Sequence, residues 1–339
     1  MDEALFYAQY LLSDTDRGRF NRGWLDGGRI ADPILDQLQA RFSRRVIEDH
    51  FTRIVADCSE LGITRLDILS GSLSRERLEP MSDPPGALFL RGDAGLLNAR
   101  PAVGVVGTRR GTERGRRVAR HMGGVLGRAG VMVVSGMAMG IDGASHEGCL
   151  DACGRALAWL GSGVETVAPP RHRGLYRRLR QHGLLASEYP PGTPVRKPYF
   201  VARNRLIAAY SDALVVVEAG QRSGTRSTVD FTLQLGRDVY CVPGPVDCSH
   251  SSGTLRWIRD GATMVRGAED LLEDLRIAPP LVGPAPLGLG LLPESTAAIA
   301  RRSGRPLSQV AAELIRAEVD GRVRRLAGDR WCAASALPG

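Results

Sequence analysis

The sequence predicts an α/β fold: a parallel sheet covered by helices on both faces, with a small helical domain before it and a small helix-and-hairpin module after it. Three observations carry that expectation. From Ala102 onward, short apolar runs alternate with helix-length segments, the pattern of strands buried on both faces. Each run ends in a glycine- or hydroxyl-rich turn, and in an open α/β sheet those carboxyl-end loops are where ligands gather. The 339 residues, 43% hydrophobic and 24% charged, suffice for one large core with appendages.

Taken in order, residues 6–12, 34–51 and 51–61 carry helical spacing, with Ile34, Leu38, Phe42 and Val46 in phase, so a helical domain is expected over 1–82. Asp83-Pro84-Pro85-Gly86 breaks the chain, and 87–90 reads as an edge strand. Strands are expected at 103–106, 131–134, 156–160, 184–187, 213–217 and 239–242, with helices between them, in a domain spanning 83–275. Residues 276–292, rich in Pro, Gly and Leu, read as a linker. In the module at 293–335, segments 294–301 and 307–317 read as helices, the second apolar at Leu307, Val310 and Leu314, before a hairpin at 323–326 and 330–333.

The formal net charge of +8 suits a polyanionic partner. Nearly all of the positive charge is arginine; Lys197 is the only lysine. Six cysteines without a CxxC pair suggest a reducing compartment and no metal site, and neither a signal sequence nor an 18-residue apolar run is visible, so a soluble cytoplasmic protein without a cofactor is expected.

Several loops carry candidate chemistry. Gly107 and Thr108 follow the first strand, with Arg109 placed for bidentate phosphate recognition. The stretch from Val131 to Asp142 reads as strand, loop and helix, in which Ser135, Gly136 and Gly140 would let backbone N–H groups approach an anion. An ordinary βα turn explains that stretch equally well. Lys197, Phe200, Arg203 and Arg205 lie with Tyr199 in one short stretch, pairing cations with aromatics as single-stranded nucleic acid requires. One of the two aromatics is expected to be a core staple. Ser223, Gly224 and Thr225 open a later helix as a cap or as a second anion site. Arg173, Arg177 and Arg180 fit an exposed helical face instead.

The ordered series Gly107-Thr108-Arg109, Ser135 to Asp142 with His146, Leu160-Gly161-Ser162-Gly163, residues 187–193, Arg203 to Ala208, Ser223-Gly224, Gly236-Arg237 with Val242-Pro243-Gly244, and Ser252-Gly253-Thr254 resembles the DNA-processing protein A family (DprA/Smf) from Pro84 to about Val265. The resemblance implies an extended Rossmann-like domain that dimerises, holds single-stranded DNA in a basic pocket and loads it onto a RecA-type recombinase in natural transformation. It places the family's pocket arginine on Arg109, its lysine on Lys197 and its stacking phenylalanine on Phe200, and it makes the C-terminal module winged-helix-like. Arg114, Ala168, Val201 and Leu255 depart from the family pattern.

Other classes fit less well. A nicotinamide-dependent dehydrogenase would want GxGxxG after the first strand and an acid ending the second, where Ser135 stands. A nucleotide phosphoribohydrolase would want a carboxylate where Thr228 stands; Asp142, Glu218 and Asp230 form no catalytic pair, Asp142 reading as a loop brace and Glu218 as a rim acceptor. The expectation is therefore a binding protein, with a nucleotide-sensing regulator or nucleotide hydrolase on the same sheet as the alternative.

Overall fold

The computed structural model describes Tyr10 and residues 40–68, 75–277, 287, 289, 294–319, 322–326 and 328–333. The expected helix at 6–12 lies outside the described residues apart from Tyr10, as do residues 34–39 and most of the linker at 276–292. The chain divides into two compact units, Met1–Leu271 and Leu272–Gly339.

In the first unit, helix α1 (Arg44–Leu61) starts where the Ser43 hydroxyl accepts the N–H of Val46 and stops where Gly62 turns left-handed. A cap of that kind contributes about 1 kcal/mol. Its buried residues are Ile47, Ile54 and Cys58, whereas Val46 is 45% exposed. The apolar phase thus runs one residue later than the sequence spacing suggests.

A strand β1 (Thr64–Asp67) and a short helix α2 (Arg75–Leu78) follow, then β2 (Ala87–Gly92), β3 (Ala102–Val106), α3 (Glu113–Arg128), β4 (Met132–Ser135), α4 (Ile141–Asp151) and β5 (Ala156–Trp159). Next come α5 (Arg173–His182), β6 (Leu184–Ser187), α6 (Lys197–Ala209), β7 (Ala213–Val216), α7 (Thr225–Gln234), β8 (Asp238–Cys241), α8 (Ser252–Arg259), β9 (Thr263–Met264) and α9 (Ala268–Asp274). The strands form one sheet in the order β1-β2-β6-β5-β4-β3-β7-β8-β9. From β6 to β9 every pairing is parallel, and β1 and β2 are antiparallel additions.

All six expected parallel strands are present, within a residue or so of the predicted ends. Two expectations are corrected. The strand at 87–90 is not at the edge, because β1 pairs outside it in the register Thr64↔Leu90 to Asp67↔Ala87. Residues 64–67, expected in a helical domain, therefore belong to the sheet.

The sheet core is built from Leu88, Leu90, Val134, Leu157, Leu206, Leu214 and Val216, with Trp159 tilted against Tyr210 at 4.7 Å between centroids. Arg77 and Asp212 pin the amino-terminal end of β3: Asp212 accepts the N–H of Ala102 at 2.8 Å and pairs with the buried Arg77 at 3.2 Å.

In the second unit, β10 (Glu294–Ser295), α10 (Thr296–Ser303), α11 (Leu307–Val319), β11 (Val323–Leu326) and β12 (Arg330–Ala333) form two helices and a three-stranded antiparallel sheet in the order β10-β12-β11. Ile299, Val310, Leu314, Ala317, Val323 and Trp331 make its core, and the Trp331 indole donates to the Thr296 hydroxyl at 2.9 Å. Leu307, expected on the apolar face, is 55% exposed at the first residue of α11.

Candidate nucleic-acid interface

After β3 the chain winds outward through β4, β5 and β6, then returns to place β7 on the opposite side of β3. The switch point of the sheet therefore lies at β3, and the loops leaving β3, β4 and β7 meet on its carboxyl rim, where such folds bind ligands.

Helix α6 begins at Lys197, with Pro198 in its first turn, a position where the missing proline N–H costs nothing. Its start lies close against the turn after β5: a Cβ on Gly161 would approach Tyr199 to 3.0 Å and Phe200 to 3.1 Å. Tyr199 stacks on the buried Tyr189 ring at 4.2 Å and is the anchoring aromatic of the pair. Phe200 is half-buried and carries the guanidinium of Arg109 over its ring, 4.8 Å from the centroid. Such a contact contributes about 0.5–1 kcal/mol at an exposed site. Arg109 and Lys197 are both exposed. The structure thus brings the loop after β3 onto the head of α6, with Lys197 one helical turn before Phe200.

Arg203 and Arg205, expected to meet the DNA backbone, are buried instead, Arg203 beneath the same Phe200 ring. Arg203 is 2% exposed and donates to the carbonyls of Gly136, at 2.7 Å, and Trp159, while its guanidinium carbon lies 6.0 Å from the Phe200 centroid. Burial draws its pKa down to about 10, with Asp142 opposing that shift. Arg205 is 7% exposed and forks onto Glu188 with two bonds of 2.7 Å, adding Asp83 at 2.9 Å. Burial disfavours its charge, but Glu188 and Asp83 more than compensate and hold its pKa above the ordinary range. Both arginines support the rim from inside.

The small-residue loops are also largely committed internally. The Ser135 hydroxyl donates to the Val105 carbonyl at 2.6 Å, and the Gly136 N–H donates to the Asp142 carboxylate at 3.2 Å. Asp142 also accepts from Ala138; burial raises its pKa, while Arg203 and these N–H groups pull the other way. Ser135 and Gly136 are therefore bracing residues rather than an open anion cradle. Gly140, at φ 83°, lets the chain turn beside the backbone of Thr108 and Arg109, where a side chain has no room. Gly107 lies against Ile141 and the Glu218 carbonyl; the Thr108 N–H donates to that carbonyl at 2.8 Å, and its hydroxyl accepts from Arg110. At the head of α7, Ser223 and Thr225 share a hydroxyl bond of 2.9 Å and Gly224 is exposed. Asn204, on α6, donates to Ser227 at 2.9 Å and so ties the two helices together.

Beneath the β4–α4 loop lies His146, fully buried, with neither ring nitrogen hydrogen-bonded to a described residue. Burial, with help from His172 and Arg203, draws its pKa down to about 3. Its neighbour His172 faces the Met137 carbonyl at 3.0 Å. Thr112, Asn204 and His172 were not singled out from the sequence; only Thr112, a hydroxyl before a helix, carries a recognisable cap signal.

The sequence profile of the family described as DNA recombination-mediator protein A matches residues 73–276. The chain belongs to this family. The match covers the sheet from β2 to β9 and leaves out β1. The DNA processing protein DprA of Bacillus subtilis is 35% identical over 254 residues, 73% of this chain and 85% of that protein. A putative DNA processing protein DprA of Mycobacterium tuberculosis is 42% identical over 221 residues, although the match spans only 56% of that relative. Among solved structures, DNA processing protein A of Streptococcus pneumoniae superposes with a TM-score of 0.68 at 27% identity, covering 81% of this chain and 98% of that one. DNA processing protein A of Helicobacter pylori, whose structure describes a single-stranded DNA binding mode, superposes at 0.57 with 25% identity over 63% of this chain and 95% of that one. These matches establish the sheet as the Rossmann-like domain of the DprA family. No described helix is long and apolar enough to cross a membrane.

Proposed function

We propose that this protein binds single-stranded DNA on the rim formed by Arg109, Lys197 and Phe200, as a DNA-processing protein of natural transformation or recombination. The observation that carries the reading is the exposed Arg109 guanidinium held over the Phe200 ring beside Lys197. Cations for the backbone and a π surface for an unpaired base are what a single strand needs and a duplex uses less. The kinship with the Helicobacter protein supports the same ligand. Thr108 and Gly224 are the phosphate-contact candidates that remain on the rim, while Arg203 and Arg205 hold it from inside. The protein acts as a binder and not as a catalyst, works in the cytoplasm as a homodimer, and hands the strand to a RecA-type recombinase. The second unit is a winged-helix-like module for DNA or protein contact.

The test is fluorescence anisotropy of a labelled single-stranded oligonucleotide with duplex and mononucleotide competitors. Preference for the single strand is expected, with log affinity falling by about 0.7 per phosphate contacted as log salt rises. Displacement by a mononucleotide at low concentration would overturn the reading in favour of a nucleotide sensor or hydrolase.

A further inference from the structure

In an open α/β sheet, the crevice at the switch point is where the phosphates of a free nucleotide are held, facing N–H groups at the head of a helix. Here that crevice lies between β3 and β7, and the Glu218 side chain bridges it. Glu218, two residues past the end of β7, accepts the Thr112 N–H at 2.9 Å with one carboxylate oxygen and the Thr112 hydroxyl at 2.5 Å with the other. Its carbonyl accepts the Thr108 N–H at 2.8 Å, a third bond that fastens residue 218 to the loop after β3. The 16-residue helix α3 reaches the same point with glycine at position 115, where a Cβ would run into the Glu218 carboxyl group. The loop after β4 is closed locally by the buried Asp142 in the first turn of α4, whose carboxylate accepts from Gly136 and Ala138.

We propose that Glu218 is a specificity-determining residue: its carboxylate stands where a nucleotide phosphate would sit in the crevice and so excludes free nucleotides. A strand is then held outside, on the rim, where its phosphates meet Arg109 and Lys197 without entering. The rim part of this statement rests on the DNA-binding reading; the exclusion does not. Space and charge act together, because the carboxylate both occupies the volume and repels a second anion. Two like charges a few ångströms apart at a protein surface disfavour each other strongly, which here corresponds to an affinity change of about 10- to 100-fold after allowance for solvent screening.

The experiment is calorimetric titration of ADP and of pyrophosphate into the full chain and into its Glu218→Ala and Glu218→Gln variants, with circular dichroism to verify folding. Wild type should bind neither probe measurably. Glu218→Ala should bind both at least about tenfold more tightly, and Glu218→Gln, which keeps the group's size and loses its charge, should fall between. Equal binding by wild type and variants, or no binding of either probe by a folded Glu218→Ala protein, overturns the proposal. If Glu218→Ala fails to fold, the glutamine variant decides. Failure of the strand itself to bind would overturn the DNA reading and leave this test standing.

Discussion

Replacing His146 with leucine should remove a defined part of the protein's acid sensitivity. The imidazole is fully buried, neither nitrogen is hydrogen-bonded to a described residue, and burial together with His172 and Arg203 lowers its pKa from 6.5 to about 3. The folded state therefore keeps His146 neutral while the unfolded chain takes up a proton near pH 6.5. A group with its folded pKa depressed gives stability that is complete above the unfolded value and is lost as pH falls below it. Well below pH 6.5 each unit of that fall costs about 1.4 kcal/mol, so about 2.7 kcal/mol goes between about pH 7.5 and pH 4.5. Asp142 acts in the opposite direction, because its pKa is raised and its burial is less costly once it is protonated. For that reason the difference between wild type and His146→Leu carries the prediction, not the wild-type profile alone. At neutral pH the leucine variant should be at least as stable, since it replaces a buried group without hydrogen bonds by an apolar one of similar size. Urea denaturation of both proteins at about pH 7.5 and about pH 4.5 measures the difference. Stability curves that run parallel over this interval would refute the reasoning.

Other consequences follow from the buried arginines. Arg205→Ala leaves Glu188 buried without its fork, and loss of about 3–5 kcal/mol is expected by denaturant titration, whereas Arg205→Met combined with Glu188→Leu should lose less than either single change. Arg203→Ala leaves the Gly136 and Trp159 carbonyls without this donor and removes the main positive charge facing Asp142; the same assay should show a loss of similar size, reduced when Asp142→Asn is added. Ser43→Ala should cost about 1 kcal/mol by the same measurement, through loss of the α1 cap.

Much of this was legible from the sequence, and the reasons are local. The six parallel strands expected from the sequence are largely apolar, buried runs followed by small or polar turns, so each announces itself, whereas the two-residue, exposed β9 does not. β1 does not: Thr64-Arg65-Leu66-Asp67 is four residues with one large apolar side chain, and only its pairing with β2 makes it a strand. The same limit hid the roles of Arg203 and Arg205. Composition marks them as cations beside aromatics, but on α6 Arg203 lies in helical phase with Leu206, Ile207 and Tyr210, the buried side, and its partners come from the carboxyl ends of the distant β4 and β5. Phase would have flagged the burial; nothing in the sequence would have named the carbonyls. Likewise, the small residues at Ser135 and Gly136 signal close approach, and whether an anion or the protein's own Asp142 approaches is settled by tertiary structure.

The rim of Arg109, Lys197 and Phe200 is tested most directly by the salt dependence of single-strand binding in two single variants, Lys197→Ala and Phe200→Ala. Lys197→Ala should weaken binding to every sequence and reduce the slope of log affinity against log salt by about 0.7, one phosphate contact. Phe200→Ala should cost about 1–3 kcal/mol of affinity through lost stacking while leaving the slope unchanged. Affinity and slope equal to wild type in both variants would contradict the account.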